Sequence, residues 1–163
     1  MKIANDILIP EIERLLKDGK EVRFTPSGVS MRPFIEGDRD SVILTSLTRS
    51  PRIGDILLVR LESNSQMSKV QCPMSNVQYQ KPPTFVLHRL VRIEGDTLVL
   101  QGDGNLVGEE RCGVSDIIGI VKRIESPSAR RKPLVRGRFW YAVRRWRPFL
   151  LKVYRHTVLK MYK

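Results

Sequence analysis

Between Val22 and Ile124 the chain is a succession of short apolar runs broken by turn residues, with Gly-Asp at 37–38, 54–55, 95–96 and 102–103. Glycine and aspartate both accept the backbone conformations of tight turns. The runs between them, among them Ser41-Val42-Ile43-Leu44, Ile56-Leu57-Leu58-Val59 and Phe85 to Val91, have the length and composition of strands. A chain punctuated in this way is expected to fold as a mainly β body. Arg92 to Leu98, with Gly95-Asp96 at its centre, reads as a hairpin that returns the strand carrying His88 toward Leu98-Val99-Leu100. That hairpin would deliver Asp103 back toward His88.

The flanks read differently. Leu8, Ile12, Leu15 and Leu16 recur at helical spacing over residues 7–18, with Gly19 as a stop and Pro10 suited to the first turn. This short amphipathic helix is expected to cover the core; lying in a membrane interface is the sharper alternative. Residues 62–83 are polar, without a period, and longer than most connections in compact domains. A substrate-covering flap and a disordered insert both fit them. One domain, 1–125, with its β core at about 22–124, is followed by a linker at 126–133 and a basic helical tail at 134–163.

Charge marks the same boundary. Residues 1–129 hold 17 Lys and Arg against 17 Asp and Glu, whereas 130–163 hold 12 Lys and Arg and no acid. The whole net charge of +12 therefore sits in the tail. There Phe139, Val143, Trp146, Leu150 and Val153 recur at three- and four-residue steps, with Arg144, Arg145, Lys152 and Arg155 on the opposite face. Pro148 kinks this helix or starts a second. Three partners fit such a tail: the body itself, an anionic lipid surface and nucleic acid. Aromatic residues along the stripe suit a headgroup layer, which places lipid ahead of phosphate-only contacts.

Other chemistries find little purchase. Cys72 and Cys112 are far apart with no metal-ligand spacing, so neither a zinc site nor any other cofactor is expected. No run of about 18 apolar residues is present to span a bilayer, and Met1-Lys2-Ile3 leads into Asn5, Asp6 and Pro10 rather than a secretory apolar stretch. The expected location is the cytosol or the cytoplasmic face of the membrane.

Nucleophile and base can be read from two local contexts. Ser30 stands in Ser27-Gly28-Val29-Ser30-Met31-Arg32-Pro33, and His88 in the apolar run Phe85-Val86-Leu87-His88-Arg89-Leu90-Val91. A serine hydroxyl is a weak nucleophile until a neighbouring base takes its proton, and imidazole is the side chain best suited to that near neutrality. The flanks of Ser30 resemble the nucleophile box Gly-x-Ser-Met-x-Pro of the LexA and signal-peptidase superfamily of serine peptidases. Further boxes of that superfamily follow in order: Gly54-Asp55 before an apolar strand, Leu87-His88-Arg89-Leu90, Gln101-Gly102-Asp103-Gly104-Asn105, and Gly119-Ile120-Val121. The resemblance covers roughly residues 20 to 124. Two departures place the chain within it. Bacterial signal peptidases and LexA-type proteins use Lys as the base, whereas His88 matches the endoplasmic-reticulum and archaeal branch. Val29 lengthens the usual Ser-Gly-Ser-Met spacing by one, as in LexA-like members.

The resemblance implies a LexA/signal-peptidase-like β fold with a short N-terminal helix, and limited cleavage of a protein or exported peptide near small residues. It implies Ser30 as nucleophile and His88 as general base. Asp103 would accept a hydrogen bond from the second ring nitrogen of His88. Glu109, where the His branch places a further acid, ranks behind Asp103. The oxyanion would be met by the Ser30 N–H and the Ser27 hydroxyl, with Met31 supporting the turn from the core. Two rivals remain in view: a LexA-like self-cleaving or regulatory domain, and an inactive peptide-binding module. Residues 1–20 are too short for a helix-turn-helix, which weighs against the first.

Overall fold

A computed structural model describes residues 5–61, 83–127, 131–132 and 146–157. Helix α1 (Asn5–Lys17) leads into strands β1 (Val22–Phe24), β2 (Ser41–Thr45), β3 (Ile56–Leu61), β4 (Thr84–Glu94), β5 (Thr97–Gln101), β6 (Glu110–Cys112), β7 (Ile117–Glu125) and β8 (Arg131–Lys132). Helix α2 (Arg147–Thr157) closes the described chain. The strands form one antiparallel sheet in the order β1-β2-β7-β3-β4-β5-β6, with β8 added on β7. The mainly β class expected from the turn-punctuated sequence is the class observed. The first two strands reach the rest of the sheet only through β7, the last long strand in sequence.

Continuous apolar sequence in β3 has a direct cause: the strand is covered on both faces. Ile56 and Leu58 join one buried cluster with Ile9, Ile12 and Leu16 of α1. Leu57 and Val59 join a second with Leu90, Leu98, Leu100 and Cys112. Each such side chain, fully withdrawn from water, contributes about 1.5–3 kcal/mol. The N-terminal helix thus covers the core, as its favoured reading had it, through Ile9, Ile12 and Leu16. It begins at Asn5 rather than near residue 7, so Pro10 falls inside the helix and not in its first turn.

Gly95-Asp96 forms the tight β4–β5 connection foreseen for it, and register pairs Arg89 with Gln101 and Leu90 with Leu100. The segment read as a linker, 126–133, is not without structure: Arg131 and Lys132 pair with Glu125 and Ile124 of β7. Of the polar segment 62–83, only Pro83 is described, so the choice between flap and insert lies outside the described residues. Phe139, Arg144 and Arg145 of the tail, and Cys72, also lie outside them. Cys112 is buried, and that burial, reinforced by the charge of Asp116, pushes its thiol up to about 11. It is a small hydrophobe of the second cluster and a poor nucleophile.

Candidate functional site

The loop between β1 and β2 carries Ser30 on a tight turn. Arg32 N–H donates to the Val29 carbonyl, and the Phe34 and Ile35 N–H groups both reach the Met31 carbonyl. Met31 and Ile35 sink into the first core cluster, so apolar burial anchors the turn from below while Ser30 stays partly exposed. Gly37 packs flat on this loop: a Cβ there would lie 2.0 Å from the Gly28 carbonyl oxygen, which no side chain could tolerate.

Strand β4 brings the imidazole expected as base. His88 is buried, pairs in register with Leu57 of β3, and directs its Nε2 to the Ser30 Oγ at 2.9 Å. Its Nδ1 lies 2.8 Å from the Glu110 Oε2 at the start of β6. A carboxylate can only accept, so Nδ1 carries the proton and Nε2 is left bare toward the serine hydroxyl. The serine O–H then donates to Nε2. Serine, imidazole and carboxylate stand in the order that a nucleophile, its base and the base's orienting group require.

The carboxylate in that order is Glu110, and this corrects the expectation for Asp103. Asp103 instead meets the neighbouring side chain, Arg89: its two oxygens accept from Nε at 2.8 Å and from Nη2 at 2.7 Å. Arg89 and Asp103 are only 2% and 1% exposed. The guanidinium also donates to the Gly54 carbonyl at 2.9 Å and stacks 5.5 Å from the Phe34 ring centroid. The hairpin did return Asp103 to β4, but to the residue beside His88. Successive residues of a strand face opposite ways, and the difference of one residue changes the partner entirely.

The same alternation separates Glu109 from Glu110. Glu110 pairs with Leu100 and Leu100 with Leu90, which lies two residues from His88 and on its face. Glu109 instead accepts from both Nη atoms of Arg92 at 2.9 Å, away from the imidazole. The carboxylate on His88 Nδ1 is Glu110 and not Glu109, which corrects the second expectation for an acid.

Asp103 still shapes the site from beneath. The Gly102-Asp103-Gly104 turn lies directly against the nucleophile loop, where the Gly104 N–H donates to the Ser30 carbonyl at 2.7 Å. A Cβ on Gly102 would stand 2.6 Å from that same carbonyl oxygen. The Arg89–Asp103 pair therefore holds the turn that holds Ser30.

Beside Ser30 and His88 opens a cavity of about 130 Å³, lined by Ser27, Gly28, Ser30 and Met31 on one side and by Phe85 to His88 on the other. Ser27 and Ser30 both border it, and Met31 forms part of its floor. Among the described residues no group of His, Cys, Asp and Glu could hold a metal ion, and no helix is long and apolar enough to cross a membrane.

Helix α2 lies against the same side of the body. Leu151 is buried, the Tyr154 O–H donates to a Glu36 oxygen at 3.3 Å, and Leu106 shares a cleft with Pro148 and Leu151. Burial and the nearby Glu36 charge together push the Tyr154 phenol above its ordinary pKa. Glu36 is itself gripped by the Arg32 guanidinium, two residues from Ser30. Trp146 and Leu150, expected on the tail's apolar stripe, are exposed.

Sequence reasoning missed Glu110 and Arg89. A signal existed for Arg89, because a cation inside an apolar strand needs a buried acid. None existed for Glu110 against Glu109, since the irregular stretch after Gln101 breaks the count of faces. Searches for relatives returned nothing: no protein-family model matches the chain, and no curated protein or solved structure matches it significantly.

Proposed function

We propose that this chain is a serine endopeptidase of the LexA/signal-peptidase-like fold, acting by limited proteolysis through Ser30, His88 and Glu110. The observation that carries the reading is the continuous hydrogen-bonded line from the Ser30 Oγ through both nitrogens of His88 to Glu110. Such a line is short, directional, and opens on a cavity.

In the first step the Ser30 oxygen attacks a peptide carbonyl carbon while its proton passes to His88 Nε2. Glu110 keeps the proton on Nδ1 and stabilises the imidazolium that forms. The oxyanion meets the Ser30 N–H and the Ser27 hydroxyl at the cavity rim. His88 then gives its proton to the leaving amine, leaving Ser30 acylated. Water attacks the ester with His88 again as base, and the acid product departs. The cavity is slightly smaller than one that admits benzene, at about 150 Å³, so it suits a small aliphatic side chain beside the scissile bond.

A fluorophosphonate probe tests this directly. The full chain should label at one serine, Ser30→Ala should abolish labelling, and His88→Ala should slow it by about a thousandfold or more. Circular dichroism should match across all three proteins. Undiminished labelling of Ser30→Ala would sink the reading. Peptide binding without any labelling would favour the inactive-module rival.

A further inference from the structure

Helix α2 has two apolar faces, and among the described residues the body covers only one. Leu151 and Tyr154 turn inward, while Trp146, Phe149, Leu150 and Val153 line the other side, with Trp146 66% and Phe149 61% exposed. The body beside α2 also carries exposed apolar residues. Leu106, which shares the cleft with α2, and Val107, 85% exposed, follow the turn that packs on Ser30. Val29, next to Ser30, is exposed as well, and its carbonyl lies 3.0 Å from where a Gly104 Cβ would stand.

We propose that this face of α2, together with Leu106 and Val107, is a docking surface for an anionic lipid bilayer. Two observations choose the occupant. The tail that carries α2 holds 12 cations and no acid, which calls for an anionic surface. The stripe is apolar and aromatic, which calls for a headgroup and acyl boundary into which Trp and Phe can sink. Nucleic acid would satisfy the charge and leave the stripe in water. A second copy would cover the stripe but bring two cationic tails together. Only a lipid surface meets both demands.

The proposal does not rest on the chemistry at Ser30, and its test is separate. Full-length protein is sedimented with vesicles of phosphatidylcholine alone or mixed with phosphatidylglycerol, at low and high salt. Binding to the mixed vesicles should exceed binding to neutral ones by about tenfold or more and should weaken in high salt. Phe149→Gln should lose most of that binding and Val107→Gln part of it, though neither changes a charge. With Trp140→Phe leaving Trp146 as sole tryptophan, emission should shift to the blue on mixed vesicles. Labelling of Ser30 in solution should be unchanged in these exposed-site variants, so loss of vesicle binding reads the surface alone. Equal binding by Phe149→Gln, Val107→Gln and the parent would overturn the proposal. So would salt-sensitive binding to duplex DNA without binding to mixed vesicles.

Discussion

The two faces of β4 do opposite things with the same kind of interaction. On one face His88, which borders a cavity, meets Glu110 and keeps one ring nitrogen turned to Ser30. On the other, Arg89 and Asp103 form a bidentate pair shut away from water, with further anchors on Gly54 and Phe34. A carboxylate beside an imidazole suits proton transfer, whereas a carboxylate closed on a guanidinium fork suits position. Adjacent residues in one strand thus divide reactivity from rigidity.

Three substitutions would break or sharpen that contrast. Glu110→Gln should have the largest effect: an amide can donate to Nδ1 and favour the wrong tautomer, so acylation should fall by up to about 10⁴-fold. Its melting temperature should stay close to the parent's, and stopped-flow acylation with thermal unfolding reads both. Asp103→Ala should invert the pattern. It leaves a buried guanidinium uncompensated, at a cost of about 3–5 kcal/mol of stability measurable by urea unfolding. Combining it with Arg89→Met should recover much of that loss, since an apolar pair needs no partner. Glu109→Gln should be the smallest, because its ion pair with Arg92 lies at the surface. Neither acylation nor melting should change measurably. A Glu109 variant that behaved like the Glu110 one would reverse the assignment of faces.

The class of fold was legible because turn residues and apolar runs are local signals. The Ser30 turn and the His88 strand were legible as motifs for the same reason, each carried by a few consecutive residues. The third member of the site was not. Asp103 was expected because the Gly95-Asp96 hairpin returns its strand to β4, and it does return there, against Arg89. Choosing between His88 and Arg89 requires knowing which side of the strand the returning turn passes. That is set by Gly102 and Gly104 lying flat on the Ser30 loop, a long-range contact with no periodicity to betray it. The tail shows the same limit. Its cationic excess and apolar recurrence were readable, but its second apolar face, Leu151 and Tyr154, takes meaning only from Glu36 more than a hundred residues earlier.

The place of β7 in the sheet has a consequence for how the protein is made. Ser30 belongs to the unit built on β1 and β2, His88 to the unit built on β3, β4 and β5, and β7 is the strand that lies between the two. On a ribosome delivering the chain from its N-terminus, both halves of the reactive pair emerge well before the strand that aligns them. Pairing of β2 with β7 joins Ser41 to Glu125, a long closure that must come late. The nascent chain therefore carries serine and histidine without a working site until Glu125 is clear of the exit tunnel. Under the proposed function, the order of synthesis would keep protein cutting silent while the chain is still unfolded and most easily cut.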